Sequence, residues 1–502
     1  MDFLSHILYG FQIVFEPINL FYCFTGVFMG TLIGVLPGLG PVEALVLLMP
    51  LIYRVSAVTG IILLAGVYYG AMYGGSTTSI LVGIPGEVAS IVTVLDGHQM
   101  AKKGRAGPAL GMSALGSYIG GTLCVFGLIF LSFVLSEAAL RFGPPEYFAL
   151  MCMGLSLVTY LTSGSVLKAI IMALIGIILS CVGGDQISGS LRFTLGIPEM
   201  ADGINFVAMA MGLFGVSEVL RNLEKSIEVN VYSGKIKNLF PNLDDWRRSI
   251  FPILRGTGLG FCLGVLPGGG SIVSSFVSYT VEKKLSKHPE EFGHGAIEGV
   301  AGPETANNAG AMGGFVPLLS FGIPSNVVMA LLLGGFIIHG VTPGPLLISS
   351  HPDVFWGIIA SMYLGNTMLL VLNLPLIPLW VKLLKVPYKI LFPLILLFCL
   401  IGSYTIENSI FDLLTLMVFG AIGYVLRKYD YFEAPLLIAF ILGPMMEVAF
   451  RRSLIMSNGS FSIFYSRPIC AVCLGIAAFL YISAGITLFH KAREKFATDW
   501  KN

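Results

Sequence analysis

Long apolar runs alternate with short polar segments along most of this 502-residue chain. Many of the runs reach about 18 residues or more, the length at which a helix can cross a bilayer. At about 20 residues per span, the chain has room for roughly ten to fourteen spans. The pattern therefore predicts an all-α polytopic membrane protein.

Glycines and a proline interrupt two of the apolar runs in the same way. Residues 33–41 read IGVLPGLGP, and residues 263–271 read LGVLPGGGS. Gly34 and Gly264 occupy the same place in the two segments. Because proline and clustered glycines break helices, each run is predicted to be a broken helix or a re-entrant hairpin.

A second motif also occurs twice. Residues 70–75 read GAMYGG and residues 310–314 read GAMGG, and each is followed by Gly-Ile-Pro, at 83–85 and at 322–324. We call the separation of Gly83 from Gly322 along the chain the Gly-Ile-Pro offset. Two motifs repeated in the same order predict that the chain consists of two matched halves. The segment after residue 74 is predicted to be a further helix interruption.

Basic residues change places between the two halves. After the first motif, half one carries only Arg54, whereas half two carries three lysines within 283–287. After Gly-Ile-Pro, half one carries three basic residues within 102–105, whereas residues 340–345 of half two carry none. Because basic loops remain in the cytoplasm, this exchange predicts two inverted repeats. Parallel repeats are the alternative.

Composition divides the chain into four predicted parts. Residues 1–220 form membrane repeat one, and residues 251–450 form membrane repeat two. The polar stretch 221–250 between them is rich in lysine and arginine and is predicted to be a cytoplasmic linker. Residues 451–502 hold a C-terminal span and a basic tail. The N-terminal segment lacks a basic region and a cleavage site, so no removable signal peptide is expected.

The overall composition argues against several other classes of protein. Apolar residues make up 55% of the chain, charged residues 11%, and the net charge is +1, so no global field favours nucleic acid. The eight cysteines lie mostly inside apolar segments, which predicts free thiols. Cys470 and Cys473 have CxxC spacing but no further ligands nearby in the sequence. Neither a metal centre nor a cofactor is expected.

The helix interruptions suggest how the chain could bind ions. A helix broken at membrane depth leaves unpaired N–H and C=O groups, which are tolerated where they line a cavity or meet a ligand. Restarted helices suit an anion, and freed carbonyls suit a cation such as Na⁺. Paired interruptions of this kind are typical of secondary transporters. The alternative is that glycine serves only helix packing and proline only kinks helices.

The polar side chains near the interruptions are mostly small and neutral, and the motifs contain no arginine or lysine. An anionic substrate would therefore be met by helix N-termini, neutral donors and a co-bound cation. Glu43, Glu304 and Asn307 are the candidates for the coupling ion, because carboxylates and amides near membrane depth can carry protons or ligate cations. Asp96 is expected to be solvated at a loop edge, an interpretation that also fits Glu298.

The motif set resembles that of a known family. The segments GVLPGLG, YGAMYGGS, GIPG, GVLPGGG, GPETANN and FGIPSN are similar to those of the large membrane subunit of tripartite tricarboxylate transporters, the TctA family. The resemblance implies a multi-pass protein of the bacterial inner membrane that takes up citrate-like carboxylates with a Na⁺ or H⁺ gradient. It also implies two partners, a small membrane subunit and a periplasmic substrate-binding protein.

Motif positions and resemblance together give one set of candidate substrate-binding residues. They are Pro37, Gly38, Leu39, Gly40, Ser76, Thr77, Thr78, Pro85, Gly86, Pro267, Gly268, Gly269, Gly270, Ser271, Asn307, Asn308, Pro324, Ser325 and Asn326. Which half binds substrate and which binds the cation stays open, because Tyr68 and Tyr69 stand where half two has Asn307 and Asn308.

Two other functions are alternatives to transport. An anion channel or pore subunit could use the same helix ends without ion coupling. An intramembrane hydrolase would need Ser76 or Ser271 as nucleophile, but neither serine lies in a GxSxG elbow. The chain is therefore predicted not to be an enzyme.

Overall fold

The computed structural model describes residues 3–162, 164–224, 236, 238–384, 386 and 388–499. Within these residues the chain is helical apart from loops and one short β ladder. Nine of the described helices are long and apolar enough to cross a membrane, and three shorter apolar helices accompany them. The predicted all-helical membrane class is confirmed. Full-length spans are fewer than expected because several apolar runs fold as shorter helices.

Eleven α-helices are described up to residue 224. In chain order they are α1 (Phe3–Val14), α2 (Pro17–Gly34), α3 (Pro41–Leu48), α4 (Ala57–Val82), α5 (Ile91–Thr93), α6 (Gln99–Lys102), α7 (Ala106–Ala139), α8 (Pro144–Leu161), α9 (Val166–Ser180), α10 (Phe206–Ala210) and α11 (Ser217–Glu224). Strands β1 (Gly183–Gly184) and β2 (Leu191–Arg192) pair antiparallel between α9 and α10.

The remaining helices follow the predicted linker. They are α12 (Leu243–Val265), α13 (Gly270–Leu285), α14 (Glu298–Gly313), α15 (Phe315–Phe321), α16 (Val327–Ile338), α17 (Leu347–Ser350), α18 (Pro352–Asn373), α19 (Ile377–Leu383), α20 (Tyr388–Glu407), α21 (Ile410–Lys428), α22 (Ala434–Met456), α23 (Ile463–Ser466) and α24 (Pro468–Asp499). Single 3₁₀ or π turns occupy Met49–Arg54, Val88–Ser90, Val94–His98, Pro198–Met200, Met211–Val216 and Pro289–Glu291.

Both predicted helix breaks are present, and their turns have the same geometry. In the first, between α2 and α3, the N–H of Leu39 donates to the carbonyl of Leu36 at 3.1 Å. In the second, between α12 and α13, Gly269 donates to Leu266 at 3.0 Å. Gly38 and Gly268 have φ of 80° and 79°. A turn in this left-handed region favours glycine, which explains the glycine at both positions.

The helices that precede the two Gly-Ile-Pro segments also end alike. Gly83 caps α4 with φ 76° and donates to the carbonyl of Ser79 at 3.2 Å. Gly322 caps α15 with φ 71° and donates to Leu318 at 2.9 Å. Left-handed glycine caps followed by proline are a common way to end a helix. The two caps thus occupy equivalent places in the repeated motif.

Close glycine contacts hold each broken helix against the next long helix of its half. Cβ atoms at three glycines of α2 would lie 2.3 to 2.4 Å from carbonyl oxygens of α4, and the pairs are Gly26 with Leu63, Gly30 with Val67 and Gly34 with Ala71. In half two the distances are 2.3 to 2.5 Å, and the pairs are Gly256 with Gly302, Gly260 with Ala306 and Gly264 with Gly310. Glycines four residues apart allow helix backbones this close together.

The outer ends of these helix pairs are held by different chemistry in the two halves. In half one, Thr59 Oγ1 donates to Asn19 Oδ1 at 2.6 Å. In half two, Arg248 Nε donates to Glu298 Oε1 at 2.9 Å. Thr59 and Glu298 are separated by the Gly-Ile-Pro offset. A neutral hydrogen bond in one half therefore corresponds to an ion pair in the other.

The chain forms two compact units. Unit 1 comprises residues 1–139 and 206–424, and unit 2 comprises residues 140–205 and 425–502. Unit 1 contains both breaks and both Gly-Ile-Pro segments. These units follow the packing of the folded chain, whereas the four predicted parts follow its composition. The predicted boundaries stay a prediction, and residues 225–235 and 237 of the predicted linker lie outside the described residues.

Unit 2 contains α8, α9, α22 and α24, together with a polar loop that follows α9. Arg451 Nη1 of α22 donates to Asp185 Oδ2 of this loop at 2.6 Å, and Arg192 Nη1 of the loop donates to Glu447 Oε1 of α22 at 2.7 Å. The backbone N–H of Ile187 and the Arg451 guanidinium hold the pKa of the Asp185 carboxyl below its usual value. The loop is thus fixed to α22 by ion pairs.

One predicted interruption is wrong. The segment after residue 74 does not break, because α4 continues to Val82 and contains Ser76, Thr77 and Thr78. The glycines before it serve helix packing instead. A Cβ at Gly74 would lie 2.5 Å from the carbonyl oxygen of Thr31 on α2. The equivalent Gly313 makes the same close approach in half two, 2.6 Å from the carbonyl of Phe261.

Candidate functional site

In half one, the Gly-Ile-Pro loop packs directly on the broken helix. A Cβ at Gly86 would lie 2.8 Å from the carbonyl oxygen of Gly34 and 2.5 Å from the Cα of Gly75. Only glycine fits at such a distance from backbone atoms. The next side chain, Glu87, runs across Gly75, whose Cβ would lie 2.6 Å from Glu87 Cγ. Glu87 is thereby buried, with 7% of its surface exposed.

In half two, the Gly-Ile-Pro loop likewise packs on the helix break of the same half. The N–H of Gly268 donates to the carbonyl of Ser325 at 2.7 Å. A Cβ at Gly314 would lie 3.0 Å from Ser325 Oγ, which repeats the approach of Gly75 to Gly86. Asn326 Oδ1 accepts the N–H of Met329 at 3.0 Å and so caps α16. The predicted residues of each half therefore do lie together.

Each half also extends one side chain from its long buried helix to the other half. Asn307 Nδ2 on α14 donates to Glu87 Oε1 at 2.9 Å. The hydroxyl of Tyr68 on α4 lies 3.2 Å from Ser271 Oγ and also interacts with Asn326. The Gly-Ile-Pro offset relates Tyr68 to Asn307 and Glu87 to Asn326. The same contact between halves is therefore made twice, with different side chains.

Hydroxyl groups from half one surround the carboxylate of Glu304 on α14. Ser76 and Thr93 donate short hydrogen bonds to its two oxygens, and Ser113 Oγ donates to Oε2 at 3.3 Å. Glu304 is 0% exposed. Buried polar groups are tolerated when hydrogen-bonded, and three donors meet much of the acceptor capacity of this carboxylate. Glu304 therefore joins α14 to α4, α5 and α7.

The neighbouring amides of Asn307 and Asn308 point to different partners. Asn308 Nδ2 donates to Ser117 Oγ on α7 at 2.7 Å and to the carbonyl of Glu304 at 3.2 Å. Asn307 Nδ2 faces Glu87 instead. Asn307 is 0% exposed, and within the described part of the chain its Oδ1 has no hydrogen-bond partner. Asn307 thus has unused acceptor capacity in a buried place.

Two of the predicted residues stabilise the first break. Glu43 Oε2 accepts the backbone N–H of Gly40 at 2.9 Å, so its carboxylate caps α3. Thr78 Oγ1 donates to the carbonyl of Val35, one of the oxygens left free by the break. These contacts are structural, and a coupling role for Glu43 stays a prediction.

The other predicted site residues differ in exposure. Pro37, Leu39, Thr77, Gly269, Gly270 and Pro324 are buried, whereas Pro85 and Pro267 are half-buried. Gly38 is exposed at the tip of the first break, and a Cβ there would meet no atom within 4 Å. The tip of this break therefore faces open space.

Asp96 is not solvated, contrary to the prediction. It is 0% exposed. Its Oδ1 accepts backbone N–H groups from Gly293 at 2.8 Å, Gly295 at 2.8 Å and Ala296 at 2.9 Å. The hydroxyl of Tyr279 donates to Oδ2 at 2.9 Å. The loop before α14 folds over this carboxylate, which the local sequence around residue 96 does not indicate.

The solvated interpretation of Glu298 is also wrong, because Glu298 is buried and paired with Arg248. Arg248 Nη2 donates to Glu298 Oε2 at 2.8 Å and to Glu291 Oε2 at 2.5 Å. The hydrogen bond from Arg248 lowers the pKa of the Glu291 carboxyl. The ion pair between Arg248 and Glu298 lies near the N-terminal end of α12 and not in the broken-helix motifs.

Glu87 is not among the predicted site residues. The Gly-Ile-Pro offset could have identified it, because it places Glu87 in register with the candidate Asn326. Thr93 and Ser113 had no such signal, since they contact Glu304 only through the tertiary fold. Within the described residues, no group of three His, Cys, Asp or Glu side chains could hold a metal ion.

Long apolar helices and paired broken helices define this chain as a multi-pass membrane protein. A family model for the Tripartite tricarboxylate transporter TctA family matches residues 20–438. The chain belongs to the TctA family of tripartite tricarboxylate transporters. It is accordingly a membrane subunit of a transporter and not an enzyme, as predicted. The tripartite system implies further subunits.

Similar proteins occur in Agrobacterium vitis. An "Uncharacterized 52.8 kDa protein in TAR-I ttuC' 3'region" is 50% identical over 495 residues, which is 99% of both chains. An "Uncharacterized protein in TAR-II ttuC' 3'region" is 53% identical over 236 residues, covering 47% of this chain and 98% of that protein. No solved structure matches the chain significantly.

Proposed function

We propose that this chain takes up citrate-like tricarboxylates or related carboxylates across the bacterial inner membrane, driven by a Na⁺ or H⁺ gradient. A periplasmic binding protein delivers the substrate, and a small membrane subunit completes the transporter. The observation that carries this proposal is the contact between halves made twice, Asn307 with Glu87 and Tyr68 with Asn326. Both contacts lie where broken helices present free backbone groups, the arrangement expected of a secondary transporter.

The two halves are proposed to be inverted repeats. The exchange of basic loops supports opposite orientations, because lysine and arginine favour the cytoplasmic side. The helix-pair ends agree with this assignment. The ionic end, with Arg248, adjoins the basic linker, and the matching end in half one has the neutral pair of Asn19 and Thr59.

The second-half break is the better place for the substrate carboxylate. The N-terminus of α3 is already capped by the carboxylate of Glu43, which repels a further anion. The N-terminus of α13 begins at Gly270 and carries the hydroxyl of Ser271, with Asn326 close by. A helix N-terminus and neutral donors are suited to a carboxylate. The first-half break, with Glu87, would then serve the cation.

Transport would follow alternating access, with one part moving against the other around this site. Gly38 and Gly268 are the reporters, because they occupy equivalent positions in the two turns. Single cysteines at each position, in a chain whose own cysteines are replaced, are expected to change labelling when the cation gradient is applied. Labelling that stays fixed from one side of the membrane would contradict alternating access.

Uptake of labelled citrate into proteoliposomes tests the function. The vesicles would hold this chain with its small subunit and binding protein, under an imposed Na⁺ gradient or an imposed proton gradient. Accumulation against the citrate gradient under one ion alone supports coupled transport and identifies the ion. Downhill leakage alone would favour the channel alternative. Absence of citrate uptake while the binding protein holds another acid would change the substrate but not the mechanism.

Substitutions test the site within the same assay. Asn307→Ala and Asn308→Ala are each expected to abolish uptake in a protein that still folds and inserts. Asn373→Ala is the matched control, since Asn373 is also buried but, among the described residues, donates to its own helix alone, at Leu369 O, 3.0 Å away. Undiminished uptake by either test variant would remove that residue from the site.

A further inference from the structure

Glu87 is a buried carboxylate with little to balance its charge. Among the described residues its side chain accepts a hydrogen bond from Asn307 Nδ2, at 2.9 Å, and it takes part in no ion pair there. A second carboxylate, Glu304, lies one helical turn from Asn307 on α14. Burying a charge without a counter-charge is costly, and a single neutral amide compensates little of that cost.

The side-chain amide of Asn307, beside Glu87, has an oxygen without a hydrogen-bond partner among the described residues. Within the described part of the chain, Asn307 Oδ1 is buried with no donor, while the amide nitrogen of the same group faces Glu87. Buried polar atoms without partners are uncommon and need an explanation. A half-turn of the amide would direct Oδ1 at Glu87, so that two oxygens from different halves would meet with no positive charge between them.

We propose that Glu87 and Asn307 together bind the coupling cation, either Na⁺ or a proton. Na⁺ would accept both oxygens as ligands, joined by carbonyls of the first break, where Gly34 O lies against Gly86. A proton would reside on Glu87 and be donated to Asn307 Oδ1. In both cases a positive charge neutralises the buried carboxylate and replaces the hydrogen bond from Asn307 Nδ2.

The other carboxylates of the region are already engaged. Glu43 caps α3, and Glu304 accepts hydroxyl groups from Ser76, Thr93 and Ser113. A divalent or transition metal is disfavoured, because such ions usually take more carboxylate, thiolate or imidazole ligands than this place offers. The pair of Glu87 and Asn307 suits a monovalent cation with oxygen ligands.

This assignment rests on the proposed function, so its test measures binding without transport. The purified full-length chain is heated in detergent without citrate, first with Na⁺ increasing at the expense of choline, then with pH varied in the absence of Na⁺. A ligand that binds only the folded protein raises Tm as its concentration increases. The wild-type Tm is expected to rise with Na⁺ or to depend on pH, and Glu87→Gln should remove that response.

Three further variants keep the test decisive. Asn307→Ala should shift the Na⁺ response to at least about tenfold higher concentration, or reduce the pH response. Glu146→Gln, which alters a buried helix cap in unit 2, should lower Tm at every condition and preserve the response. If Glu87→Gln does not fold, Glu87→Asp takes its place, with the expectation of weakened binding.

The outcomes separate the cation site from the transport proposal. A response to Na⁺ identifies Na⁺, and a response to pH alone, abolished by Glu87→Gln, identifies a proton. An unchanged response in Glu87→Gln, or no response of the wild type to either ion, would overturn the site. Cation binding at Glu87 without uptake of citrate or of any other acid that the binding protein holds would leave the cation site intact and refute the proposed function. Gradient-driven uptake by Glu87→Gln would overturn the cation site and leave the proposed function intact.

Discussion

The two halves of unit 1 share a backbone arrangement but differ in their polar side chains. Both have the same turn at the break, with Gly38 and Gly268 at nearly equal φ. At the contact between halves, however, half one supplies Tyr68 where half two supplies Asn307. The loop beyond carries Glu87 in half one and Asn326 in half two.

This difference shows which parts of the duplicated unit are fixed by packing and which are free to specialise. The positions at which α2 and α12 meet carbonyl oxygens of the packed helix are glycine in both halves, because a Cβ does not fit there; they are Gly26, Gly30 and Gly34, and Gly256, Gly260 and Gly264. Positions whose side chains reach the opposite half are not constrained in this way. Half one has a carboxylate, Glu87, and half two has amides, Asn307 and Asn326, at these positions.

The largest effect is expected where the halves are alike. Gly30→Ala and Gly260→Ala would place a Cβ 2.3 Å and 2.4 Å from carbonyl oxygens, so the helices must separate. Each should lower stability by about 3 kcal/mol, the upper part of the range for overpacking. Thermal unfolding in detergent measures the loss. Gly258→Ala is the control, because a Cβ there meets no atom within 4 Å. Clearly unequal losses of stability in the two variants would contradict the equivalence of the two helix pairs.

A smaller effect is expected at the carboxylate that joins the halves. Glu304→Ala leaves the hydroxyls of Ser76, Thr93 and Ser113 without this acceptor. Because hydroxyls can turn to other acceptors, the loss should be about 2 kcal/mol, within the range for unsatisfied buried groups. Thermal unfolding is again the measurement. Stability equal to that of the wild type would show that the halves are not joined through Glu304.

The two contacts between halves should respond differently. Tyr68→Phe removes one hydroxyl, at 3.2 Å from Ser271 Oγ, and should lower stability by about 1 kcal/mol. Citrate uptake should fall less than about tenfold, because about 1.4 kcal/mol corresponds to a factor of ten. Asn307→Ala should abolish uptake in the same assay. If Tyr68→Phe also abolished uptake, the division of roles between the halves would be contradicted.

The smallest effect concerns the ends of the helix pairs. The hydrogen bond from Arg248 lowers the pKa of Glu291, so this ion pair stabilises the fold above the usual pKa of 4.5 and is lost as pH falls through the lowered value. Glu291 is partly exposed, and the loss should stay under about 1 kcal/mol. Unfolding followed from neutral pH to below pH 4.5 measures it, and Glu291→Gln should remove this contribution. The neutral end, tested with Thr59→Val, should show no such pH dependence.

The sequence predicted the backbone features because proline and glycine act locally. The two breaks and the two matched caps depend on residues such as Pro37 and Gly268, whose conformational limits hold in any context. The same reasoning failed at residues 74–79, since glycine in a membrane helix can serve packing as readily as interruption. The close packing of α2 on α4 explains why α4 continues through these residues, and this packing is visible only in the tertiary structure.

The polar contacts could be predicted only in part. The Gly-Ile-Pro offset placed Asn307 and Glu87 each at a matched position of the repeated motif. The local sequence does not show that the two side chains touch, because they are 220 residues apart along the chain. Asp96 was expected to be solvated, since its flanking residues are polar, and its backbone donors at residues 293–296 come from the other half. Long-range hydrogen bonds of this kind depend on the tertiary fold.

The glycine contacts limit where the two halves can differ in length. Gly34 meets Ala71 in half one and Gly264 meets Gly310 in half two, so half two has the longer interval between its paired helices. The helical arms within these intervals are similar in length, because α3, with 8 residues, continues into the 6-residue 3₁₀ segment Met49–Arg54, whereas α13 has 16 residues. The additional residues of half two lie mainly in the loop between α13 and α14, which contains Pro289–Glu291. Length could change in this loop but not in the paired helices, where one added residue would move every later glycine off its partner.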